Sequence, residues 1–217
     1  MIPRINREKL PIEIYRIRQT VSKAEEYITK TMPKSFRPWG DTSVFKTSAP
    51  NEGRYVRSPV DSLLDVLLNI DFKSLNPSFN EESAVVLGSG LGASCFTLSL
   101  FFENVVGWEY DPWLRPTSRR VGEVLGDPYN KVDFKLGDFL SDADISNFSL
   151  IYFFEPFIEN FGEFMGKLLS KASNGAMILC PGLALSQDYP LVFPENLFLQ
   201  HDIPISRQLY FNIFERK

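Results

Sequence analysis

Residues 83–95 read SAVVLGSGLGASC, and no other stretch limits so strongly what this chain can fold into. Ala84, Val85, Val86 and Leu87 form a short apolar run with two β-branched members, the pattern of a strand buried on both faces. Gly88, Gly90 and Gly92 follow at a spacing of two, and the segment from Ala93 to Phe102 is apolar enough for a packed helix. Strand, glycine turn and helix together make the first half of a nucleotide-binding α/β unit. Glycines let the backbone turn tightly and let a ligand come close to it. Main-chain N–H groups at the start of the helix are then expected to face a polar or anionic ligand.

The next segment supports this reading. Asn104 to Asp111 reads NVVGWEYD, a second buried strand ending at Glu109, which lies 21 residues past Gly88. In such folds an acidic residue about 20 residues after the glycine turn accepts hydrogen bonds from ribose hydroxyls. Taken alone, Glu109 reads as a surface residue at a strand end; the upstream glycine turn favours the ribose role.

The remaining elements predict the fold class. Residues 13–32 carry Ile14, Ile17, Val21, Ala24 and Ile28 at alternating spacings of three and four, one narrow stripe of a helix. That stripe suits packing on its own domain, with a homodimer through the N-terminal helix as the alternative. Lys34 to Arg57 is rich in turn-forming residues with scattered aromatics and reads as an ordered lid, not a plain connector. Ser58, Pro59 and Asp61 start a helix whose face is Leu63, Leu64, Val66, Leu67 and Ile70. Further strands are expected in KVDFKLG, FSLIYFF and GAMILC, with helices ending at Leu125 and spanning Phe161 to Leu169. Segments 196–201 and 208–214 have no helix between them and are expected to pair as an antiparallel hairpin. The expectation is an α/β, Rossmann-like doubly wound sheet, mostly parallel with a C-terminal antiparallel hairpin, plus an N-terminal helical extension. Residues 1–54 form the helix and lid-like loop, and residues 55–217 the nucleoside-binding domain.

Composition narrows the function classes. The net charge of −4 gives no basic field for a nucleic-acid backbone. One histidine and two cysteines, Cys95 and Cys180 in apolar runs, argue against a zinc or iron site and against a disulfide. No apolar run is long enough to span a membrane, and the N-terminus lacks a secretory signal core, so a cytoplasmic protein is expected.

In order and spacing, the segments VVLGSGLGAS, GWEYD, LGDF and YFFEPF resemble the class I S-adenosylmethionine-dependent methyltransferase superfamily over residues 55–217. The resemblance implies S-adenosylmethionine as cofactor, with Gly88, Ser89, Gly90, Leu91 and Gly92 beside its methionine part. It implies Glu109 on the ribose with Tyr110 next to it, Asp138 on the adenine amino group, and Phe139 beside the ring. Tyr55, with Arg54, is expected to fold over the cofactor, and Glu155 to be the polar group on the substrate side, with Phe153, Phe154 and Phe157 lining the pocket. The plainer readings are that Asp138 and Asp111 cap turns, that Glu155 only orients the cofactor, and that Phe153 and Phe154 pack in the core.

Two departures stand out. Val86 occupies the place where the family often has an acidic anchor, so other groups must hold the ammonium end. The fourth motif is neither Asp-Pro-Pro-Tyr nor Asn-Pro-Pro-Tyr, which weighs against amino-group methylation of DNA or glutamine. GDFLS resembles the histone-lysine methyltransferases of the non-SET kind and points to a protein acceptor, with a small molecule as the other choice. A methyl transfer needs in-line alignment above all, and a base only if the nucleophile arrives protonated. Two rival readings remain. Gly88 to Ala93 also satisfies the G-x-G-x-x-A fingerprint of an NAD(P)-dependent oxidoreductase, and Val86 leaves room for a non-catalytic interaction module.

Overall fold

The computed structural model describes residues 3–31, 44–46, 54–56, 60–77, 79–154, 166–168, 170–182, 197–204 and 210–216. Its strands in chain order are β1 (Val44–Lys46), β2 (Arg54–Val56), β3 (Ser83–Leu87), β4 (Asn104–Glu109), β5 (Asp133–Leu136), β6 (Leu150–Phe153), β7 (Met177–Gly182), β8 (Leu197–Pro204) and β9 (Tyr210–Arg216). The helices are α1 (Leu10–Thr31), α2 (Val60–Asn69), α3 (Phe72–Leu75), α4 (Ala93–Leu98) and α5 (Leu114–Leu125).

Seven strands form one sheet in the order β5-β4-β3-β6-β7-β9-β8. The first five in that order pair in parallel, which gives the mostly parallel α/β sheet the apolar runs predict. β9 lies antiparallel to β7, and β8 antiparallel to β9. Strands buried on both faces explain the continuous apolar runs, and alternate residues serve two separate cores. Ala84, Val86, Leu150, Tyr152, Met177 and Leu179 join one core. Val85, Leu87, Ile151, Phe153, Ile178 and Cys180 join the other. A one-residue slip of any of these strands would exchange the two sets.

Helix α1 follows its predicted stripe: Leu10, Ile14, Ile17, Val21 and Ile28 are buried, in the same core as α2, α4 and α5. Burying each such side chain contributes about 1.5–3 kcal/mol, against at most about 1 kcal/mol for an exposed ion pair such as Arg18–Asp61. The stripe is covered by the same chain and is not an open seam for a second copy. Polar contacts then fix the docking: Tyr129 Oη donates to Glu13 Oε2 at 2.7 Å, and Arg16 Nη2 to the Leu125 carbonyl at 2.9 Å.

Helix α4 is shorter than the predicted Ala93–Phe102, ending at Leu98. There the ladder tightens: Leu100 N–H bonds the Thr97 carbonyl and Phe101 N–H the Leu98 carbonyl, while Ser99 Oγ donates to the Phe96 carbonyl. Within the expected lid, β1 and β2 form a two-stranded antiparallel ladder that pairs Phe45 with Tyr55. The capping residues Ser58 and Pro59 lie outside the described residues. Of the helix expected around residues 161–169, residues 166–168 and 170–171 are helical, with Leu168 buried.

Candidate functional site

From β3 the chain runs outward through β4 and β5 on one side, then returns to add β6 and β7 on the other. The loops leaving β3 and β6 therefore diverge, and open sheets bind ligands outside the carboxyl ends of strands at such a switch point. The glycine loop follows β3 at this edge.

Gly88 (φ +74°), Gly90 (+55°) and Gly92 (+89°) all adopt left-handed backbone that favours glycine. Their surroundings differ. A Cβ added to Gly88 would meet open space, whereas one on Gly92 would lie 2.7 Å from a ring atom of Phe134 and 2.8 Å from one of Phe96. Gly88 is thus the position a ligand could approach, and Gly92 is required by packing.

Within the glycine loop itself, which precedes the start of α4, most main-chain N–H groups are bonded inside the fold. Gly88 and Ser89 N–H both bond the Trp108 carbonyl, at 2.9 and 2.8 Å, and Gly92 N–H bonds the Ser89 carbonyl at 2.9 Å. Gly90 N–H bonds Glu109 Oε2 at 2.7 Å. The loop is sewn onto the end of β4, because a tight turn between parallel strands must satisfy its own donors. By contrast, the hydroxyls of Ser89 and Ser94 are buried with no hydrogen-bond partner among the described residues.

Glu109 ends β4 and is only 6% exposed. Its other oxygen, Oε1, accepts from Asp111 N–H at 2.8 Å. Burial pushes its carboxyl up to about 7; the N–H bonds from Asp111 and Gly90 oppose that rise, and the nearby Asp111 charge adds to it. Each carboxylate oxygen has two acceptor sites, so capacity remains for further donors.

Asp111, fully buried, plays its predicted capping role: Oδ1 accepts from Trp113 N–H at 2.7 Å and from Leu114 N–H at 3.4 Å at the head of α5. Tyr110 and Trp113 are exposed beside it, and Leu136, opposite Glu109 in the β4–β5 register, is half exposed. Gly137 N–H bonds the Glu109 carbonyl at 3.0 Å, which ties the two strand ends together. Asp138 follows directly; its Oδ1 accepts from Leu140 N–H at 2.9 Å, so it caps its own turn. Phe139 is half-buried against the second core. The fold therefore gathers Gly88 to Gly92, Glu109, Tyr110, Asp138 and Phe139 at the carboxyl ends of three adjacent strands.

Phe153 is fully buried in the second core and Phe154 packs on the first. Tyr55 lies in β2, and Glu155 and Phe157 lie outside the described residues. Among the described residues, no group of three or more His, Cys, Asp or Glu could hold a metal ion, and no helix is long and apolar enough to cross a membrane.

Gly107 is a positioning residue that sequence reasoning missed. A Cβ there would lie 2.8 Å from both Cys95 Sγ and Ser89 Cβ and 2.9 Å from Phe134 Cδ1. Only a glycine lets the loop and α4 rest on β4. The signal was a glycine interrupting the apolar strand two residues before Glu109, a sign of close approach.

No protein-family model matches the sequence, and comparison with curated proteins finds no match. The fold is shared with solved methyltransferases. An RNA methyltransferase from Salinibacter ruber in complex with S-adenosyl-L-homocysteine is 17% identical; the likeness covers 75% of this chain and 95% of that one, with a TM-score of 0.54. A magnesium protoporphyrin IX methyltransferase from Synechocystis with bound S-adenosylmethionine is 11% identical, covering 73% and 78%, with a TM-score of 0.57. A TehB-like S-adenosylmethionine-dependent methyltransferase from Corynebacterium glutamicum is 15% identical, covering 72% and 95%, with a TM-score of 0.50. At these identities the likeness establishes the class I methyltransferase fold.

Proposed function

We propose that this chain is an S-adenosylmethionine-dependent methyltransferase acting on a protein or small-molecule acceptor. The observation that carries the reading is Glu109, a buried carboxylate at the carboxyl end of β4, bonded to Gly90 N–H in the glycine loop. That arrangement puts an acceptor for ribose hydroxyls beside a backbone that a nucleoside can approach at Gly88. The hydroxyls of Ser89 and Ser94, unpartnered among the described residues, fit a ligand with polar groups at the loop, where Val86 supplies no acidic anchor. Two fold neighbours, solved with S-adenosyl-L-homocysteine and with S-adenosylmethionine, support this choice of cofactor.

On this reading Glu109 takes the ribose, the Gly88–Gly92 loop supports the amino-acid tail, and Tyr110, Asp138 and Phe139 surround the adenine. Tyr55 closes over the cofactor, and Glu155, after β6, is the polar group on the acceptor side. When bound, S-adenosylmethionine supplies an already activated sulfonium methyl. The chain's own task is to align the acceptor behind that methyl and exclude water, and such positioning can supply several kcal/mol of barrier reduction, of the order of 7 or more in favourable cases. Glu155 would take a proton only from an acceptor that arrives protonated. The antiparallel strands at the end of the sheet, β8 and β9, are assigned as the family's closing pair.

Incubation with methyl-labelled S-adenosylmethionine and a cell extract tests this proposal. Label entering protein or small molecules is the expected result. Label entering nucleic acid would correct the acceptor class, and no transfer to any fraction would contradict the enzymatic reading.

A further inference from the structure

The carboxyl end of β4 holds two buried carboxylates two residues apart, Glu109 and Asp111, 6% and 0% exposed. Glu109's hydrogen bonds come from main-chain N–H groups, those of Gly90 and Asp111. Among the described residues, the neighbouring elements bring Glu109 no paired cation. From α4 comes the buried Cys95 thiol, whose own ionisation Glu109 opposes. On β5, Lys135 Nζ sits 5.8 Å from the centre of the Trp108 ring, and from α5 Arg115 Nε is bonded to the Phe134 carbonyl at 3.0 Å. Among the described residues, no Lys or Arg forms an ion pair with Glu109. Surface carboxylates stay ionised throughout the neutral range, but a buried one with a like-charged neighbour and no cation does not.

We propose that Glu109 and Asp111 together make nucleoside binding proton-gated: the site takes a ribose when Glu109 is ionised and rejects it when Glu109 is protonated. An ionised Glu109 presents acceptors to two hydroxyl donors. A protonated one turns one oxygen into a donor and leaves either Gly90 N–H or Asp111 N–H with a weakened acceptor. Asp111 acts through Glu109 and does not touch the ligand, so it is a positioning residue whose charge adds to the rise that burial causes. The gate rests on the ribose role assigned above and adds its regulation. The position of the Glu109 carboxyl, pushed up to about 7 chiefly by burial, places the transition in the neutral range.

The test combines two measurements on the full chain. Carboxyl-carbon NMR of the ligand-free protein reads Glu109 ionisation directly, and calorimetry reads S-adenosylhomocysteine affinity between pH 5.5 and 8.5. A Glu109 midpoint near 7 is expected, with affinity falling about tenfold per pH unit below it. Asp111→Asn keeps an oxygen to cap α5 while removing the charge. It should move both midpoints to lower pH together and raise affinity relative to wild type at pH 6. Glu109→Gln should abolish the pH dependence. A midpoint at the ordinary carboxylate value, or affinity flat with pH, overturns the gate and leaves the cofactor assignment standing. A midpoint near 7 with no S-adenosylhomocysteine binding at any pH overturns the cofactor assignment, and the gate with it.

Discussion

Glu109 Oε2 accepts a hydrogen bond from Gly90 N–H at 2.7 Å, which joins the end of one parallel strand to the glycine turn that follows its neighbour. The bond couples two sequence signals separated by 19 residues into one structural unit.

Glu109→Ala is therefore expected to weaken S-adenosylhomocysteine affinity by about 1–3 kcal/mol, the cost of losing hydrogen bonds to a charged group. Calorimetric titration measures it, with circular dichroism confirming that the sheet survives. Unchanged affinity would remove the ribose assignment.

The same residue predicts a stability signature without ligand. The folded chain holds the Glu109 proton up to about pH 7, whereas an exposed glutamate releases it near 4.5. The stability this group contributes is complete below pH 4.5 and is lost as pH rises to 7, at most about 3 kcal/mol in all. Glu109→Gln has no such titration. Its melting temperature should gain on wild type between those limits and keep a constant offset above pH 7.5. A difference that does not vary with pH would contradict the buried-carboxylate account.

The glycines of the loop should not be equivalent. Gly88→Ala meets only the left-handed backbone, at φ +74°, a cost of about 1–2 kcal/mol. Gly92→Ala adds collisions with Phe134 and Phe96 and should cost at least about 1–3 kcal/mol more. Gly107→Ala, with normal backbone but three contacts under 3 Å, should fall between them in stability. It should also weaken S-adenosylhomocysteine binding, because Ser89 is among the atoms displaced. Chemical denaturation orders the three, and equal losses would show that packing on the loop does not discriminate.

Tyr129→Phe removes the hydroxyl that bonds Glu13 at 2.7 Å while leaving Arg16 on the same carboxylate at 2.8 Å. A loss of about 1–2 kcal/mol is expected in denaturant unfolding. The measured coupling between Tyr129 and Glu13 in a double-mutant cycle should account for most of it. Absence of coupling would mean that the Tyr129–Glu13 bond does not help hold α1.

Much of this architecture was legible because burial leaves periodic traces. The runs at 84–87, 150–153 and 177–180 are continuous because each strand feeds two cores, and the α1 stripe is narrow because one helix face meets the rest of the chain. The placement of Glu109 was legible through its spacing from Gly88. Its partners were not, because main-chain donors carry no residue signature: Gly90 and Asp111 could be assigned to Glu109 only once the turn had a shape. The early end of α4 escaped for a related reason, since Leu100, Phe101 and Phe102 keep the apolar pattern while the chain has already left the helix. Gly107 shows the limit most plainly, because the atoms that forbid a side chain there come from Cys95, Ser89 and Phe134 on three other segments.

In the proposed function, an adenosyl group rests between the glycine loop and Glu109. Parallel calorimetric titrations of the full chain with S-adenosylhomocysteine and with NADH at pH 8 test it most directly. Saturable S-adenosylhomocysteine binding, with no heat from NADH, is the predicted result. NADH bound and S-adenosylhomocysteine ignored would contradict it and give the site to hydride-transfer chemistry, and neither bound would leave only the fold.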